Sequence, residues 1–367
     1  MSADVNPDLR PRRLADLRDA MGRADLDGLL VSSLPNIRYL TGFSGSNALL
    51  LVTALECVLL TDFRYEAQVA DEVRGGATIR IEPTNLWAGL WPTIAGTAGV
   101  ERVGFESAHL LHRDFARLLE QGSRWQWRPT ADLVETLRAV KDADEVARIE
   151  RAVGMAERAL QRTLKQVHPG LTETAVAGVL ERCLRDEGSE AFPFPSIVAS
   201  GPRSALPHAR AADRVLQTGD FVLLDFGAVA DGYCSDITRT VILGPPSDEQ
   251  RDVYEIVREA NLRASGAVRV GLRGMAADAV ARDYIADRGY GDAFGHSLGH
   301  GIGLEVHEAP RLARSVEAPL AAGMVVTIEP GIYRPGWGGV RIEDDVLITE
   351  TGGRVLSHFP RHLLEIA

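Results

Sequence analysis

Two shortages in the amino-acid sequence narrow the class of protein. Cysteine is rare, with three scattered residues in 367 and no CxxC pair, so we expect reduced core thiols and no disulfide framework. Positive charge is in deficit, since 40 lysines and arginines stand against 51 aspartates and glutamates. The net charge of −11 argues against nucleic acid or an anionic membrane as the main partner, because both require a basic surface.

Long apolar segments are also missing. No uninterrupted run approaches the roughly 18 apolar residues of a membrane helix. Residues 1–7 are polar and lack the apolar core of a signal peptide. Together with the reduced cysteines, these absences predict a cytoplasmic protein that does not enter a membrane.

The composition, the length and the pattern of apolar segments predict two domains. The apolar content of 45% and charged content of 25% are typical of a globular protein, and 367 residues suffice for two domains. Short apolar segments alternate with helical patterns up to about residue 137, which predicts an α/β domain over 1–137. A charged helix is expected over about 134–166 and a second helix over 171–187. Strands and glycine-rich turns follow, so we expect an α+β domain over 138–367.

Four carboxylates of the second domain lie in apolar, strand-like segments: Asp225, Asp236, Glu329 and Glu343. At about 4 Å and an effective dielectric constant near 20, two such charges repel by roughly 4 kcal/mol. Buried charges must be paired, neutralised or bound to metal, and no matching group of lysines accompanies them. Two divalent cations match the charge of four carboxylates, so the sequence indicates a dinuclear metal site.

Turn residues indicate how the two aspartates approach each other. Asp231-Gly232 is a hairpin signal. With these two residues as the loop, Ala230 faces Tyr233, and Asp225 becomes a diagonal neighbour of Asp236 on the same face.

A second predicted turn brings the two glutamates close together. The midpoint between Glu329 and Glu343 falls on Gly336, inside the turn segment 335–339. This pairs the two glutamates across a second hairpin and places Arg341 on the same face as Glu343.

A nitrogen ligand is predicted from a glycine-rich stretch. His296, His300 and His307 are three of the nine histidines, and the glycines around His300 permit close approach of the backbone. Oxygen-rich ligation with one nitrogen suits Mn²⁺, Co²⁺, Zn²⁺ or Fe²⁺. Paired metals lower the pKa of a shared water, so the predicted reaction is hydrolysis by a metal-bound hydroxide. The competing interpretation is a set of unrelated acidic residues at strand ends that water satisfies.

The motifs around these residues resemble the proline-specific metallopeptidases of the pita-bread fold, which include aminopeptidase P and prolidase. The similar stretches in the second domain are 194–201, 207–208, 223–227, 233–240, 296–303, 329–333 and 340–344. In the first domain, 36–43 and 61–65 look like the non-catalytic domain of that family. The resemblance therefore implies a creatinase-type N-terminal α/β domain followed by a pita-bread catalytic domain.

The resemblance also implies a role for each metal ligand. Asp225 is expected to bind the first metal, and Asp236 and Glu343 are expected to bridge the two. His300 and Glu329 would complete the second metal, with Glu329 carrying the proton of the bridging hydroxide. Two Mn²⁺ ions are the expected cofactors, with Co²⁺ or Zn²⁺ as alternatives.

Four further residues are implied to act on the substrate. His208 would position it and stabilise the tetrahedral intermediate, and His307 would contact the scissile carbonyl or the proline side. Arg341 would orient ligands or bind a substrate carboxylate, with a structural salt bridge as the competing role. His296 would line the pocket.

The resemblance leaves several activities to distinguish. The small residues of 43–47 favour an aminopeptidase P, which cleaves the Xaa-Pro bond at the N-terminus of longer peptides. Prolidase, which cleaves Xaa-Pro dipeptides, is the alternative, and a non-catalytic peptide-binding protein is a remote one. Creatinase lacks the full ligand set and methionine aminopeptidase lacks the first domain. The resemblance further implies a homodimer that binds proline-containing peptides.

Overall fold

The computed structural model describes residues 8–367, and the chain divides into two compact units, Met1–Arg138 and Ala139–Ala367. The polar segment 1–7, from which the sequence predicts no signal peptide, lies outside the described residues. Within residues 8–367, no helix has the length and apolar character needed to cross a membrane. The three cysteines are buried and free.

The first unit is a six-stranded sheet flanked by helices. Its helices are α1 (Arg10–Arg23), α2 (Leu34–Thr41), α3 (Glu66–Glu72), α4 (Leu86–Gly96), α5 (His112–Gln121) and α6 (Leu133–Arg138). Its strands are β1 (Gly28–Val31), β2 (Ala48–Thr53), β3 (Cys57–Asp62), β4 (Thr78–Glu82), β5 (Arg102–Glu106) and β6 (Gln126–Thr130), in the spatial order β4-β3-β2-β1-β5-β6. The apolar segments predicted as strands form the interior of this sheet. Strand β4 was not predicted, although its alternating polar and apolar residues, none of them fully buried, have the pattern of a half-buried edge strand.

The second unit contains four long helices and thirteen strands among its residues 139–367. The helices are α7 (Ala143–Leu164), α8 (Glu173–Asp186), α9 (Asp248–Ala267) and α10 (Gly274–Asp287). The first strands are β7 (Ile197–Ser200), β8 (Phe221–Phe226), β9 (Val229–Ala230), β10 (Tyr233–Cys234), β11 (Ile237–Leu243) and β12 (Gly299–Gly301). The remaining strands are β13 (Glu308–Leu312), β14 (Val325–Ile328), β15 (Gly331–Arg334), β16 (Gly338–Arg341), β17 (Asp344–Thr349), β18 (Gly352–Val355) and β19 (Glu365–Ile366).

The single helix expected over 134–166 is wrong in one respect. The structure has two helices there, α6 and α7, with a break between Arg138 and Ala143. Asp142 forms a capping box with Glu145, in which each side chain accepts from the backbone N–H of the other. Such a box satisfies the free N–H groups at a helix N-terminus, so α7 begins here and does not continue α6.

Each half of the second unit packs a helix pair on a sheet. Helices α7 and α8 cover the four-stranded sheet β19-β11-β8-β7, and α9 and α10 cover the five-stranded sheet β13-β12-β14-β17-β18. Apolar residues at helical spacing supply the contact, for example Val253, Val257, Ala260 and Ala264 of α9. Full burial of each valine stabilises the fold by roughly 1.5–3 kcal/mol. The two sheets meet where Glu343 N donates to Thr238 O at 3.1 Å.

Candidate active site

The first hairpin has the predicted register. Tyr233 pairs with Ala230 in the short ladder β9–β10, and Thr238 pairs with Asp225 in β8–β11. Asp231 and Gly232 have φ values of 46° and 77°, which are the left-handed angles of a type I′ turn. Asp225 is therefore the diagonal neighbour of Asp236, as the turn residues predict.

The second hairpin also has the predicted register. Ile328 pairs with Asp344 in β14–β17, and Gly331 pairs with Arg341 in β15–β16. The two ladders share one register, so Glu329 and Glu343 lie opposite each other in the gap between them. Gly336 sits at the turn with φ of 81°, a conformation that favours glycine.

His300 lies on β12, a short strand with close neighbours on both sides. A Cβ on Gly299 or on Gly301 would come within about 2.1 Å of a backbone oxygen of the adjacent chain segment, so glycine is required on both sides of the histidine. His300 Nδ1 lies 3.0 Å from Gly301 O. This contact fixes the proton on Nδ1 and leaves Nε2 free to ligate.

The free nitrogen of His300 faces the carboxylates. Nε2 lies 3.8 Å from Asp236 Oδ2 and 3.6 Å from Glu329 Oε1. Burial lowers the pKa of His300 to about 4, so the imidazole is neutral at pH 7. A neutral imidazole is the form that binds metal.

The carboxylates show the charge problem that the sequence predicts. Burial, followed by the charges of Glu343 and Asp225, raises the pKa of Asp236 well above its ordinary range. Burial and the charge of Asp225 raise the pKa of Glu343 to about 8. Burial and the charge of Glu343 raise the pKa of Glu329. Protein groups alone therefore do not stabilise these residues as anions.

The donor atoms fit divalent metal ions. Ligand atoms of Asp236, His300 and Glu343 lie within 4.8 Å of one another. Asp225 Oδ1 and Asp236 Oδ1 are buried and have no hydrogen-bond partner among the residues described. Buried oxygens without partners are costly, and carboxylate oxygens with one imidazole form a ligand set for Mn²⁺ or a similar cation. Glu329 borders this group through its contact with His300.

Arg341 is buried beside the carboxylates. Its Nη2 forms an ion pair with Asp225 Oδ2, its Nη1 donates to the Tyr333 hydroxyl at 2.8 Å, and its Nε donates to Thr238 Oγ1 at 3.1 Å. Thr238 Oγ1 in turn donates to Glu343 Oε2 at 2.6 Å. Arg341 thus connects ligands from both hairpins.

A cavity of about 830 Å³ opens onto this cluster. All nine residues predicted to act in the site line it: Asp225, Asp236, His208, His296, His300, His307, Glu329, Arg341 and Glu343. His208 and His307 are exposed to the cavity, and the His307 ring packs edge-on against His300 with centroids 4.3 Å apart. His296 Nε2 is bonded to the Tyr333 hydroxyl at 2.8 Å, which restricts its orientation.

Three residues of the site were not predicted. Asp345 Oδ2 accepts from Asp236 N at 3.1 Å, and its position two residues after Glu343 in an apolar strand is a signal that could have identified it. Tyr333 joins His296 to Arg341. Arg311 lines the cavity, and within residues 8–367 it has no ion-pair partner. Its place four residues after His307 carries no recognisable sequence signal.

Comparisons with known proteins agree with this architecture. Residues 13–140 match the Creatinase/Prolidase N-terminal domain, and residues 147–350 match metallopeptidase family M24. A curated Xaa-Pro dipeptidase from Pyrococcus horikoshii is 35% identical over 358 residues, covering 97% of this chain and 100% of that protein.

Two solved structures are also similar over nearly the whole chain. An Xaa-Pro dipeptidase from Bacillus anthracis is 41% identical with a TM-score of 0.94, covering 97% of this chain and 99% of the other. An X-Pro aminopeptidase from Thermotoga maritima is 37% identical with a TM-score of 0.89, covering 96% and 99%. These similarities confirm the predicted fold class, a creatinase-type domain followed by a pita-bread catalytic domain.

Proposed function

Since this chain belongs to metallopeptidase family M24, we propose that it is an Xaa-Pro dipeptidase, which hydrolyses the bond between a first residue and a C-terminal proline. The aminopeptidase P activity that the sequence favours is not confirmed. The alternative, prolidase, agrees better with the names of similar proteins from Pyrococcus horikoshii and Bacillus anthracis.

The observation that carries the proposal is the position of Arg311. Arg311 lines the same cavity as the carboxylate cluster, it is exposed, and within residues 8–367 no carboxylate forms an ion pair with it. A dipeptide presents a free carboxylate one residue beyond the scissile bond, whereas a longer peptide presents a neutral amide there. A charge-assisted hydrogen bond contributes about 1.5–3 kcal/mol, which would favour the dipeptide.

Five residues would hold the metal ions: Asp225, Asp236, His300, Glu329 and Glu343. Two divalent cations, for which we propose Mn²⁺, would lower the pKa of a water and polarise the scissile carbonyl. Among the protein groups, we assign the proton transfer to Glu329, because burial raises the pKa of Glu329 and so makes its carboxylate a stronger base. It would accept the proton from the water and give it to the proline nitrogen as the bond breaks.

The histidines at the cavity would bind the substrate. His208 and His307 are exposed there, so each can donate a hydrogen bond to the carbonyl oxygen as negative charge develops on it. Arg341 is only 3% exposed and is already bonded to Asp225 and Tyr333. We therefore assign it to orienting Asp225 and not to binding a substrate carboxylate. His296 supports Tyr333 from the other side.

Aminopeptidase P activity is the second candidate. It is favoured by the similarity to the X-Pro aminopeptidase from Thermotoga maritima. The two are separated by assaying the Mn²⁺-supplemented protein with an Xaa-Pro dipeptide, the same dipeptide with its carboxylate amidated, and an Xaa-Pro-Xaa tripeptide. We expect the dipeptide to have the highest kcat/KM and the amide to lose roughly 10- to 100-fold. Equal or faster cleavage of the tripeptide would establish aminopeptidase P instead.

The identity of the metal, the homodimer and the cytoplasmic location stay predictions. Metal analysis after loading with Mn²⁺, Co²⁺ or Zn²⁺, each followed by the dipeptide assay, tests the first. Light scattering of the purified chain tests the second, and a monomer with full activity would contradict it.

A further inference from the structure

Asn261 is a polar residue at a position where α9 otherwise presents apolar side chains to the five-stranded sheet. It follows Val257 by four residues and precedes Ala264 by three, so all three lie on one face of the helix. All three are fully buried. A buried amide is costly unless it is hydrogen-bonded, so its partners identify its role.

The partners of Asn261 are the two residues that precede the glutamate ligands. Its Nδ2 donates to Ile328 O at 2.9 Å and to Ile342 O at 3.1 Å, and these carbonyls directly precede Glu329 and Glu343. A carbonyl oxygen only accepts hydrogen bonds, so the atom of Asn261 that faces both carbonyls must be the amide nitrogen. These contacts therefore fix the orientation of the amide. One side chain on a helix thus binds both strands of the second hairpin where they carry ligands.

The strands need this donor because their ladder is interrupted there. Glu329 N donates to Leu298 O at 2.9 Å and Glu343 N donates to Thr238 O at 3.1 Å, both outside the hairpin. Ile342 N donates across to Pro330 O at 3.5 Å, but proline has no N–H with which to return a bond to Ile342 O. Asn261 Nδ2 supplies the missing donor.

We propose that Asn261 is a positioning residue of the metal centre, which holds the interrupted strands at the separation that directs Glu329 and Glu343 toward the same ions. This inference rests on the proposed metal site. Groups that orient metal ligands affect affinity strongly, and their removal typically weakens metal binding by about 10- to 100-fold. Asn261 acts through the backbone of both ligands and touches neither substrate nor metal.

The test is equilibrium binding of Mn²⁺ to the metal-free protein, together with the electron paramagnetic resonance spectrum of the loaded protein. Asn261→Leu keeps a similar size but removes both donors. We expect about 10- to 100-fold weaker Mn²⁺ binding and loss of the spectroscopic coupling between paired Mn²⁺ ions. Ser265→Ala is the matched control, because Ser265 is buried one turn further along α9 and its Oγ has no partner in the described chain. It should bind Mn²⁺ like the wild type.

The outcomes separate this inference from the proposed function. A wild-type protein that binds no Mn²⁺ would overturn the metal site and the inference together. If the wild type binds Mn²⁺ and the folded Asn261→Leu variant binds it equally tightly, the role of Asn261 is overturned and the proposed function stands. Should Asn261→Leu fail to fold, Asn261→Ala removes the amide donors without adding bulk or charge, with the same expected and contrary results.

Discussion

One cavity of the first unit has nearly the same volume as the cavity of the candidate active site in the second unit. The cavity of the first unit measures about 840 Å³ and that of the second about 830 Å³. Both are lined by carboxylates and arginines. Volume and composition therefore do not distinguish the cavity that holds the candidate active site from the cavity that does not.

The two cavities differ in whether protein groups compensate the charge of their carboxylates. In the first unit, Asp62 accepts from Arg64 at 2.8 Å and from Asn47 at 2.6 Å, and these bonds hold the pKa of Asp62 well below its ordinary range. In the second unit, burial and neighbouring carboxylates raise the pKa of Asp236, and one of its oxygens has no partner in the described chain. Carboxylates that the protein leaves uncompensated indicate a site that can bind a cation.

The largest effect is expected from removing an uncompensated carboxylate. Asp236→Asn deletes one charge of the candidate metal site, and the loss of several kcal/mol of charge stabilisation corresponds to a drop of roughly 1000-fold in kcat/KM. We expect Mn²⁺ binding to weaken in the same variant. Dipeptide hydrolysis and Mn²⁺ titration measure the two effects.

The matched control for Asp236→Asn lies in the other cavity. Asp114 of the first unit accepts from Arg117 at 3.1 Å, so Asp114→Asn removes a carboxylate that the protein already compensates. It should leave Mn²⁺ binding unchanged. Equal losses of Mn²⁺ in the two variants would erase the distinction between the cavities.

The next effect concerns a group that donates to the substrate. His208→Ala removes a donor from the cavity without removing a ligand, and loss of one such donor typically lowers kcat by about 100-fold or more. Mn²⁺ stoichiometry should remain that of the wild type. If metal is lost along with activity, His208 belongs to the metal site and its assignment to the substrate is wrong.

A smaller effect is expected from Arg311. Arg311→Met removes the unpaired cation, so KM for the dipeptide should rise by roughly 10- to 100-fold, while the amidated dipeptide is little affected. Arg113→Met is the control, because Arg113 lines the cavity of the first unit and is already beside Asp114. Parallel losses for the dipeptide and its amide would show that Arg311 does not recognise the carboxylate.

The sequence predicts strand register well where turn chemistry fixes it. Asp231-Gly232 and Gly336 each specify a turn, and a side-chain period of two residues then determines which carboxylates face each other. The glycines beside His300 indicate close packing in the same way. These signals depend only on neighbouring residues in the sequence, so they can be recognised without knowledge of the fold.

The residues that were missed depend on contacts between distant elements. Asn261 looks like an interruption of an apolar helix face, and only the packing of α9 on the sheet shows that its amide meets Ile328 and Ile342. Arg311 is one of many exposed arginines until the fold places it beside the cavity. The break before α7 was missed because helical periodicity continues through the capping residue Asp142.

A further contrast is a dependence of folding stability on pH that has opposite signs in the two cavities. Burial and the charge of Asp225 raise the pKa of Glu343 from 4.5 to about 8 in the metal-free protein. The folded state therefore holds a proton that the unfolded chain releases, and its stabilising effect is complete below pH 4.5 and is lost as pH rises toward 8. Asp62, whose pKa is lowered, contributes stability that is lost only as the solution becomes acidic.

Bound Mn²⁺ should reverse the loss of stability with rising pH that we expect for the second unit. Because the ion binds the deprotonated carboxylate, its affinity should increase by up to about tenfold per pH unit for each proton released and level off above pH 8. Thermal unfolding of the metal-free protein between pH 5 and 8, with and without Mn²⁺, measures both trends, and Glu343→Gln should flatten the metal-free slope. If stability falls with pH equally steeply in Glu343→Gln and the wild type, the protein itself compensates the Glu343 carboxylate. The contrast between the carboxylates of the two cavities would then be wrong.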